Sequence, residues 1–301
     1  MDLAEVARMR VAYRVPGMDA VIVRRDVVYR EIAGEPPARM TLDVYLPAVA
    51  DRAAAGQAAA PRAPGVLLIH GPVPAHMYDR VKNMGVFLSY GEILAASGMA
   101  AVVCNHLHHG WEDLDGSAAN LAAAIAWLRA ESDALGVDPD RLCLWAFSGG
   151  GPQLAPALTA SDPRIRCLVG FYPLLDVRQL PAPMPPLPAE LAERFSPAAC
   201  VARAVPWPRP PLLLARAGMD QPWINQPFDA FVQAALAAGI EMEVLNHVAG
   251  QHGFDVLDDV PRTHEIIART IAFIQTHTGT AAAARLPNAP GQQPALSETA
   301  R

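Results

Sequence analysis

The chain has 301 residues, of which 52% are hydrophobic and 18% are charged, a balance that argues against a disordered protein. A net charge of -6, with basic residues scattered singly, argues against nucleic acid as a partner. The acidic start of the chain, Met1–Glu5, and the lack of a long apolar run predict neither a secretion signal nor a membrane span, so we expect a cytoplasmic location.

The first predicted elements form a hairpin. Val21–Arg30 and Arg39–Leu46 alternate apolar and polar residues and are separated by a short Gly-Glu-Pro-Pro connection, which predicts two antiparallel strands. The stretch Ala48–Pro64, rich in alanine, glycine and proline, is predicted to be a surface loop.

From Gly65 onward, predicted strands and helices alternate along the chain, which indicates an α/β fold with a mostly parallel sheet and helices on both faces. The predicted strands are Gly65–Ile69, Ala100–Cys104, Arg141–Phe147, Ile165–Phe171, Leu212–Ala215 and Met242–Asn246. The predicted helices are Phe87–Ser97, Ser117–Leu135, Pro152–Thr159, Phe228–Ala238 and Thr263–Thr276.

The composition along the chain predicts one domain over residues 1–277 and a disordered tail over residues 278–301, which are rich in alanine, proline, glycine and glutamine. Within the domain, Asp176–Pro211 contains ten prolines and therefore cannot supply central strands. This segment is either a lid over a substrate pocket or a rigid surface connection, and the sequence leaves both open.

The sharpest local feature is Ser148, which follows an apolar strand and precedes the glycines of Gly149–Gly151. A serine at a sharp strand-to-helix turn projects its hydroxyl above the sheet, and it requires small residues two positions before and after it. Here those residues are Ala146 and Gly150, so the first departs from the usual glycine. An ordinary turn is the alternative, but the context favours Ser148 as a nucleophile.

A serine hydroxyl needs a base that takes its proton, and histidine has a suitable pKa. His252 lies in a glycine-flanked loop between the last predicted strand and helix, where its ring can be aimed at Ser148; His247 is the alternative. A loop carrying His106, His108 and His109 resembles a metal-ligand group, although solvated or pocket-lining roles are favoured and no metal is expected.

A carboxylate must orient the base and stabilise the imidazolium that forms. Asp220 follows the predicted strand Leu212–Ala215 through a short turn, whereas Asp176 is the alternative. Asp255 is interpreted as a first-turn or loop residue, and Asp229 as a helix residue.

Backbone N–H groups must also stabilise the oxyanion that forms when a carbonyl is attacked. Gly149 is the first candidate donor; in the loop after Ile69, Pro72 has no N–H to give, which leaves Gly71 or Val73 as the second. Aromatic candidates for substrate binding, each of which could equally be core or lid packing, are Phe147, Trp111, Tyr172, Trp223 and Tyr78.

Taken together, Ile69–Gly71, Trp145–Gly151, Ala215–Asp220 and Gly250–Asp255 resemble the α/β-hydrolase superfamily, nearest its dienelactone hydrolase and carboxylesterase-like members, over Val21–Thr276. The resemblance implies an eight-stranded sheet, no cofactor, and a Ser-His-Asp triad carried on Ser148, His252 and Asp220. Dienelactone hydrolases usually present cysteine as the nucleophile, so the serine points toward esterase or peptidase-like chemistry.

The leading hypothesis is therefore a serine hydrolase that cleaves a carboxylic ester or lactone through an acyl-enzyme, with a small-molecule ester as its partner and no membrane. A peptidase-like or C–C hydrolase on the same triad is a second hypothesis, because a fold does not determine the bond that is cleaved. A non-catalytic binding protein is a third, motivated by Ala146 and Pro72. The sequence leaves a homodimer open.

Overall fold

The computed structural model describes residues 3–34, 37–48, 61–107, 109, 112–182 and 184–279. Its strands are β1 (Ile22–Ile32), β2 (Ala38–Leu46), β3 (Ala63–Ile69), β4 (Ala100–Cys104), β5 (Val137–Phe147), β6 (Ile165–Phe171), β7 (Leu212–Ala217) and β8 (Met242–His247). Its α-helices are α1 (Leu3–Val6), α2 (Gly85–Ala96), α3 (Leu114–Ala130), α4 (Ser132–Leu135), α5 (Ala155–Thr159), α6 (Ala189–Arg194), α7 (Pro197–Val201), α8 (Pro222–Ala237), α9 (Phe254–Leu257) and α10 (Pro261–His277). Short 3₁₀ helices cover Met18–Ala20, Ala75–Met77, Val81–Asn83 and Ser148–Leu154.

The described strands form one eight-stranded sheet in the order β1-β2-β4-β3-β5-β6-β7-β8. β1 pairs with β2 and β2 pairs with β4 in antiparallel fashion, whereas the pairs from β4 to β8 are parallel. This arrangement confirms the predicted mostly parallel sheet with an antiparallel N-terminal hairpin. Because parallel strands run the same way, the loops that follow β3 to β8 gather at one edge of the sheet, where α/β proteins bind ligands.

Helices cover both faces of the sheet, and β5 shows how the core is divided between them. Cys143, Trp145 and Phe147 pack in one buried cluster with side chains of α2 and α10. Leu144 and Ala146 point the other way and pack with side chains of α3, α5 and α8. Strands buried on both faces read as continuous apolar runs, which is why the sequence revealed them.

Several helix bounds differ from the prediction: the predicted helix Ser117–Leu135 is divided into α3 and α4, and Pro152–Thr159 is α-helical only from Ala155. Two further shifts beside the site have a clear cause. α3 begins at Leu114 rather than Ser117, because the Asp113 side chain caps it by accepting a hydrogen bond from the Gly116 N–H at 2.9 Å. α8 begins at Pro222 rather than Phe228, because proline is well suited to the first turn of a helix.

The proline-rich segment 176–211 contains the short helices α6 and α7, which the sequence did not reveal. Val177 and Phe195 of this segment are buried in a small apolar cluster with Leu114 at the start of α3, Leu174 after β6 and Trp223 at the start of α8. All three of those partners follow carboxyl ends of strands. The segment therefore packs over the carboxyl edge of the sheet.

A buried ion pair joins the hairpin to the segment between β3 and α2. The Lys82 ammonium lies 2.7 Å from Asp43 on β2 and 2.6 Å from Asp26 on β1. The Lys82 side chain is 1% exposed and that of Asp43 is 0% exposed. The Lys82 backbone N–H also donates to Asn105 after β4 at 3.1 Å, so this cluster anchors the end of the loop that carries Gly71 and Val73.

The predicted boundaries of two irregular segments shift slightly. Ala63 and Pro64, assigned to a surface loop, belong to β3, and residues 49–60 of that loop lie outside the described residues. Thr278, assigned to the tail, is buried and its hydroxyl donates to the Ile274 carbonyl at 2.7 Å, while residues 280–301 lie outside the described residues. None of the described helices combines the length and apolar character needed to cross a membrane.

Candidate active site

Ser148 occupies a sharp turn at the end of β5, where the 3₁₀ helix Ser148–Leu154 begins. Its φ of +53° lies in the left-handed region, which costs a non-glycine residue about 1–3 kcal/mol. Such a conformation persists only where the surroundings fix it. One such constraint is the hydrogen bond that the Ser148 carbonyl accepts from the Leu174 N–H at 2.8 Å.

The turn is tight enough to require small neighbours. A Cβ on Gly150 would come within 2.6 Å of the Ile69 carbonyl oxygen, so no larger residue fits there. Ala146 is fully buried between β3 and β6, where it pairs with Ile69 and Gly170. Its methyl group packs in the core cluster on the other side of β5 from Phe147, so this departure from glycine is accommodated.

The structure brings Ser148, His252 and Asp220 together in one hydrogen-bonded chain. The Ser148 Oγ lies 2.7 Å from His252 Nε2, and His252 Nδ1 lies 2.6 Å from Asp220 Oδ2. Because a carboxylate only accepts, the imidazole Nδ1–H donates to Asp220 and leaves Nε2 to accept from the serine hydroxyl. The Asp220 side chain is 1% exposed and that of His252 is 38% exposed, so a buried acceptor holds a ring that solvent and ligands can reach.

Backbone hydrogen bonds join the loop that carries Asp220 to the loop that carries His252. The Gly218 N–H donates to the His247 carbonyl at 2.8 Å, and the Met219 N–H donates to the Gly250 carbonyl at 2.9 Å. A Cβ on Gly218 would lie 2.2 Å from the Val248 carbonyl oxygen, so the two loops are in direct contact. This contact fixes the carboxylate relative to the imidazole.

The alternative residues occupy other positions. His247 is buried beneath the loop, with its ring centroid 5.3 Å from that of Phe254. Asp176 bonds to Arg178 at 2.6 Å and to the Ser196 hydroxyl at 3.0 Å; burial raises its pKa, but the Arg178 hydrogen bonds lower the pKa overall. Asp229 lies on α8 as predicted.

The candidate oxyanion donors lie next to one another. A Cβ on Gly71 would be 3.0 Å from the Gly149 nitrogen, and a Cβ on Gly149 would be 2.3 Å from the Pro72 ring. The loop after β3 thus lies against the first peptide after Ser148. Val73 is partly buried against the core cluster on the α2 side of the sheet. Gly71 and Val73 both lie in this loop, and both stay candidates for the second donor.

The five aromatic candidates have different surroundings, and Tyr78 is partly buried in the segment between β3 and α2. Phe147 is 4% exposed and packs against the rings of Phe87 and Trp145, so it lies in the core. Tyr172 is 6% exposed, and its ring centroid lies 4.6 Å from that of His252. Trp223 is partly buried against segment 176–211. Trp111 lies outside the described residues.

A pair of stacked histidines beside the candidate oxyanion loop was not foreseen. The ring centroids of His70 and His106 are 3.8 Å apart, and both residues are buried. The His70 Nδ1–H donates to the Gly71 carbonyl at 2.8 Å, and His106 Nδ1 lies 2.7 Å from the Ser117 hydroxyl. Burial lowers the pKa of His70 to about 4 and lowers that of His106 well below its usual value.

The position of His106 bears on the histidine-rich loop. His106 lies in the core rather than in a solvated cluster, and His108 lies outside the described residues. Within the described ranges, no group of three or more histidine, cysteine, aspartate or glutamate side chains has an arrangement that could hold a metal ion. The sequence offered one signal for this pair, because each histidine closely follows a predicted strand and strands that are consecutive in the chain are often neighbours in a sheet.

Comparisons with known proteins show similarity to esterases. No protein-family model matches the chain. A probable carboxylic ester hydrolase of Mycobacterium tuberculosis, LipM, is 27% identical over 114 residues, which is 34% of this chain and 26% of that protein. The match thus spans about a quarter of the length of that curated relative.

Solved structures match over almost the whole chain. A thermophilic esterase from Thermogutta terrifontis has a TM-score of 0.62 at 20% identity, covering 90% of this chain and 96% of that one. Esterase B from Lactobacillus rhamnosis, solved with a tributyrin phosphonate, has a TM-score of 0.65 at 16% identity, covering 89% of both chains. A thermostable esterase from Pseudomonas putida has a TM-score of 0.64 at 18% identity, covering 89% of this chain and 86% of that one. The fold predicted from the sequence is therefore correct, whereas the dienelactone hydrolase subtype stays a prediction.

Proposed function

We propose that this chain, which has the α/β-hydrolase fold, is a serine hydrolase that cleaves carboxylic esters through an acyl-enzyme. The observation that carries the proposal is the hydrogen-bonded chain from the Ser148 hydroxyl through His252 to the buried Asp220 carboxylate. A serine hydroxyl becomes an effective nucleophile only when a positioned base takes its proton, and this chain of hydrogen bonds supplies that base.

In the proposed reaction, Ser148 Oγ attacks the acyl carbon while His252 Nε2 takes the hydroxyl proton. The oxyanion that forms accepts hydrogen bonds from the Gly149 N–H and from the N–H of Gly71 or Val73. His252 then gives the proton to the departing alkoxide. Water, activated by the same imidazole, hydrolyses the acyl-enzyme and frees Ser148.

The names of the similar proteins favour an ester over an amide as the bond cleaved. The curated relative is called a probable carboxylic ester hydrolase, and the similar structures are called esterases. One of these was solved with a tributyrin phosphonate, a reagent whose phosphorus centre resembles the tetrahedral intermediate of ester cleavage. Ester cleavage by this chain is thus the function that the geometry and the comparisons together support best.

We also assign segment 176–211 to a lid over the acyl site rather than to a plain connection. Its apolar residues pack against Leu174, whose N–H donates to the Ser148 carbonyl, and against Trp223, which lies three residues after Asp220. A cover that contacts both neighbours of the triad is suited to excluding water from it. Trp223 is then a candidate wall of the substrate pocket.

The direct test is labelling by a fluorophosphonate probe followed by peptide mapping. The wild-type protein should be labelled on Ser148, and Ser148→Ala should lose labelling together with turnover of short-chain aryl esters, by about 10⁴–10⁶-fold. Ser161→Ala, an exposed serine before β6, is the matched control and should behave as wild type. A panel of matched ester, lactone and amide substrates then ranks the bond cleaved. Absence of labelling in the wild type would favour a non-catalytic binding protein.

A further inference from the structure

The turn that follows β6 contacts all three elements of the candidate triad. The Tyr172 N–H donates to the Ala215 carbonyl on β7 at 2.7 Å, close to where that strand leads to Asp220. Two residues later, the Leu174 N–H donates to the Ser148 carbonyl at 2.8 Å. The Tyr172 ring itself lies against the His252 imidazole, with 4.6 Å between centroids and 55° between planes.

Tyr172 is held in place from both ends. Its φ of +38° is a conformation that a bulky residue rarely adopts, so the backbone hydrogen bonds at this turn constrain it. At the other end, its hydroxyl donates to Asp255 Oδ1 at 2.7 Å. The ring therefore spans between the end of β6 and the first turn of α9.

Asp255 is buried and is shared by two tyrosines. It lies three residues after His252, is 1% exposed, and accepts a second hydrogen bond at Oδ2 from the Tyr90 hydroxyl at 2.9 Å. Burial raises the pKa of Asp255, and the two phenolic hydrogen bonds oppose that effect. A buried carboxylate is costly unless such donors satisfy it, so the tyrosines and the aspartate form one unit.

The packing of the Tyr172 ring restricts a motion of the His252 ring that its hydrogen bonds allow. Hydrogen bonds at Nδ1 and Nε2 fix the two edges of an imidazole but leave it free to rock about the line that joins them. A second ring packed against the imidazole, here with a tilt of 55° between the planes, restricts that motion, and sub-ångström placement of a base matters for proton transfer. Of the two tyrosines on Asp255, Tyr172 makes this contact, whereas Tyr90 packs on Trp145 and Phe147 in the core.

We propose that Tyr172, anchored by Asp255, is a positioning residue that holds the His252 imidazole in line with Ser148. The inference rests on the proposed function, because it assigns a task to the base. Tyr172 acts through His252 and takes no part in proton transfer itself.

The two tyrosines provide a matched pair of variants. Tyr172→Phe and Tyr90→Phe each remove one hydroxyl from the same carboxylate, but only the first loosens the ring that contacts His252. We expect Tyr172→Phe to lower kcat and the rate constant of fluorophosphonate labelling by about tenfold, with KM within about twofold of wild type. Tyr90→Phe should keep both rates within about twofold of wild type, even if its thermal unfolding temperature falls as much as that of Tyr172→Phe. Equal losses in the two variants would overturn the proposal.

Asp255→Leu, which has no acceptor for either tyrosine, tests the anchor from the other side. It should lower kcat at least as much as Tyr172→Phe, and the double variant should be no slower than Asp255→Leu alone, because both changes remove the hydrogen bond between Tyr172 and Asp255. Additive losses would contradict a shared role. Circular dichroism on each variant identifies any that fails to fold, and the Tyr172→Phe and Tyr90→Phe comparison then decides.

A readout that does not require activity separates this inference from the proposed function. The His252 Nδ1–H proton, bonded to Asp220, should give a low-field proton NMR resonance that His252→Gln removes. We expect this resonance to broaden in Tyr172→Phe and to be unchanged in Tyr90→Phe; an unchanged resonance in both variants would overturn the inference. A wild-type protein that shows the resonance but neither turnover nor labelling would overturn the proposed function, and the resonance in the two tyrosine variants would still decide whether Tyr172 holds the His252 ring in place.

Discussion

Gly71 lies so close to Gly149 that a Cβ built on Gly71 would be 3.0 Å from the Gly149 nitrogen and 3.3 Å from its Cα. That methyl group would stand beside the N–H that we assign to the oxyanion. Position 71 thus requires glycine because a side chain would crowd the Gly149 N–H. Backbone conformation is not the reason, since Gly71 is not among the glycines with a positive φ.

Gly71→Ala should therefore impair catalysis far more than stability. Because the added methyl group would crowd the Gly149 N–H and keep a substrate oxygen from it, we expect kcat for a short-chain aryl ester to fall by about 10²–10³-fold, the usual cost of losing one oxyanion donor. The thermal unfolding temperature should fall only modestly, because the methyl group displaces the Gly149 backbone slightly but introduces no left-handed strain. Val73→Ala is the control: it trims a side chain but keeps the N–H, and it should retain most of the activity. Full activity in Gly71→Ala would remove this loop from the oxyanion site.

Asp220→Asn should abolish most of the activity while preserving the fold. An asparagine in place of the carboxylate can present its amide to Nδ1, which favours the tautomer that carries the proton on Nε2 and cannot accept from Ser148. We expect kcat to fall by about 10⁴-fold, measured against the same aryl ester.

Asp176→Asn is the matched control, since Asp176 is the acid that sequence reasoning left as the alternative. It bonds to Arg178 and to Ser196 and lies in segment 176–211. We expect it to lower the free energy of unfolding and to keep kcat within about tenfold of wild type. The reverse ranking of the two variants would assign the orienting role to Asp176.

Sequence reasoning located the sheet and the hydrogen-bonded trio because both depend on local signals. Buried parallel strands read as apolar runs, and Ser148, Asp220 and His252 each follow the end of such a run. Among the bounds that were wrong, the starts of α3 and α8 depend on a cap at Asp113 and on a proline at the first helical turn, signals that a search for apolar periodicity overlooks.

The buried polar contacts that support the site and the hairpin could not be predicted from the sequence, for a different reason. Tyr90 and Asp255 are 165 positions apart in sequence, and Lys82 and Asp43 are 39 apart. No periodicity links such partners, so only the fold reveals them. One signal was nonetheless available: Lys82 is the only lysine in the sequence, and a cation so rare and so close to an apolar helix is a candidate for a specific buried role.

Lys82→Met should destabilise the fold strongly. Removing the ammonium leaves the Asp43 carboxylate buried, with the partly exposed Arg25 at 3.1 Å as its one remaining cation and the Asp26 backbone N–H at 2.9 Å as a donor. We expect a loss of about 3 kcal/mol in the free energy of unfolding by urea, in the range seen when one partner of a buried pair is removed. The double variant Lys82→Met with Asp43→Leu should recover part of that loss, because no buried charge is then left unpaired and the charges of Arg25 and Asp26 are exposed.

Two further measurements test whether the effect of Lys82→Met comes from the burial of its ion pair. Asp229→Asn breaks the more exposed pair with Arg216 and should cost less than about 1 kcal/mol. Because Lys82 is the only lysine, an amine-directed reagent should leave its side chain unmodified in the folded protein and modify it in urea. Rapid modification under native conditions would show that the ion pair is not buried.

Acid should destabilise the protein partly through His70. Its pKa is lowered by burial from 6.5 to about 4 in the folded state, so between those values the unfolded chain binds a proton that the folded chain excludes. The free energy of unfolding therefore rises with pH across this window, by up to about 1.4 kcal/mol per pH unit from this group, and the contribution is complete above pH 6.5. His106, lowered in the same direction by burial and by the charge of His70, adds to the effect.

His70→Asn isolates that contribution, because its amide can donate to the Gly71 carbonyl as the imidazole Nδ1–H does but does not titrate. Both proteins are unfolded in urea between pH 4.5 and pH 8. The pH dependence that arises from the carboxylates common to both proteins cancels in the difference between their free energies of unfolding. We expect the stability advantage of the wild type to shrink by about 2–3 kcal/mol from pH 7 to pH 4.5. Two curves that stay parallel would mean that His70 titrates alike in the folded and unfolded states, and that its ring is accessible to water.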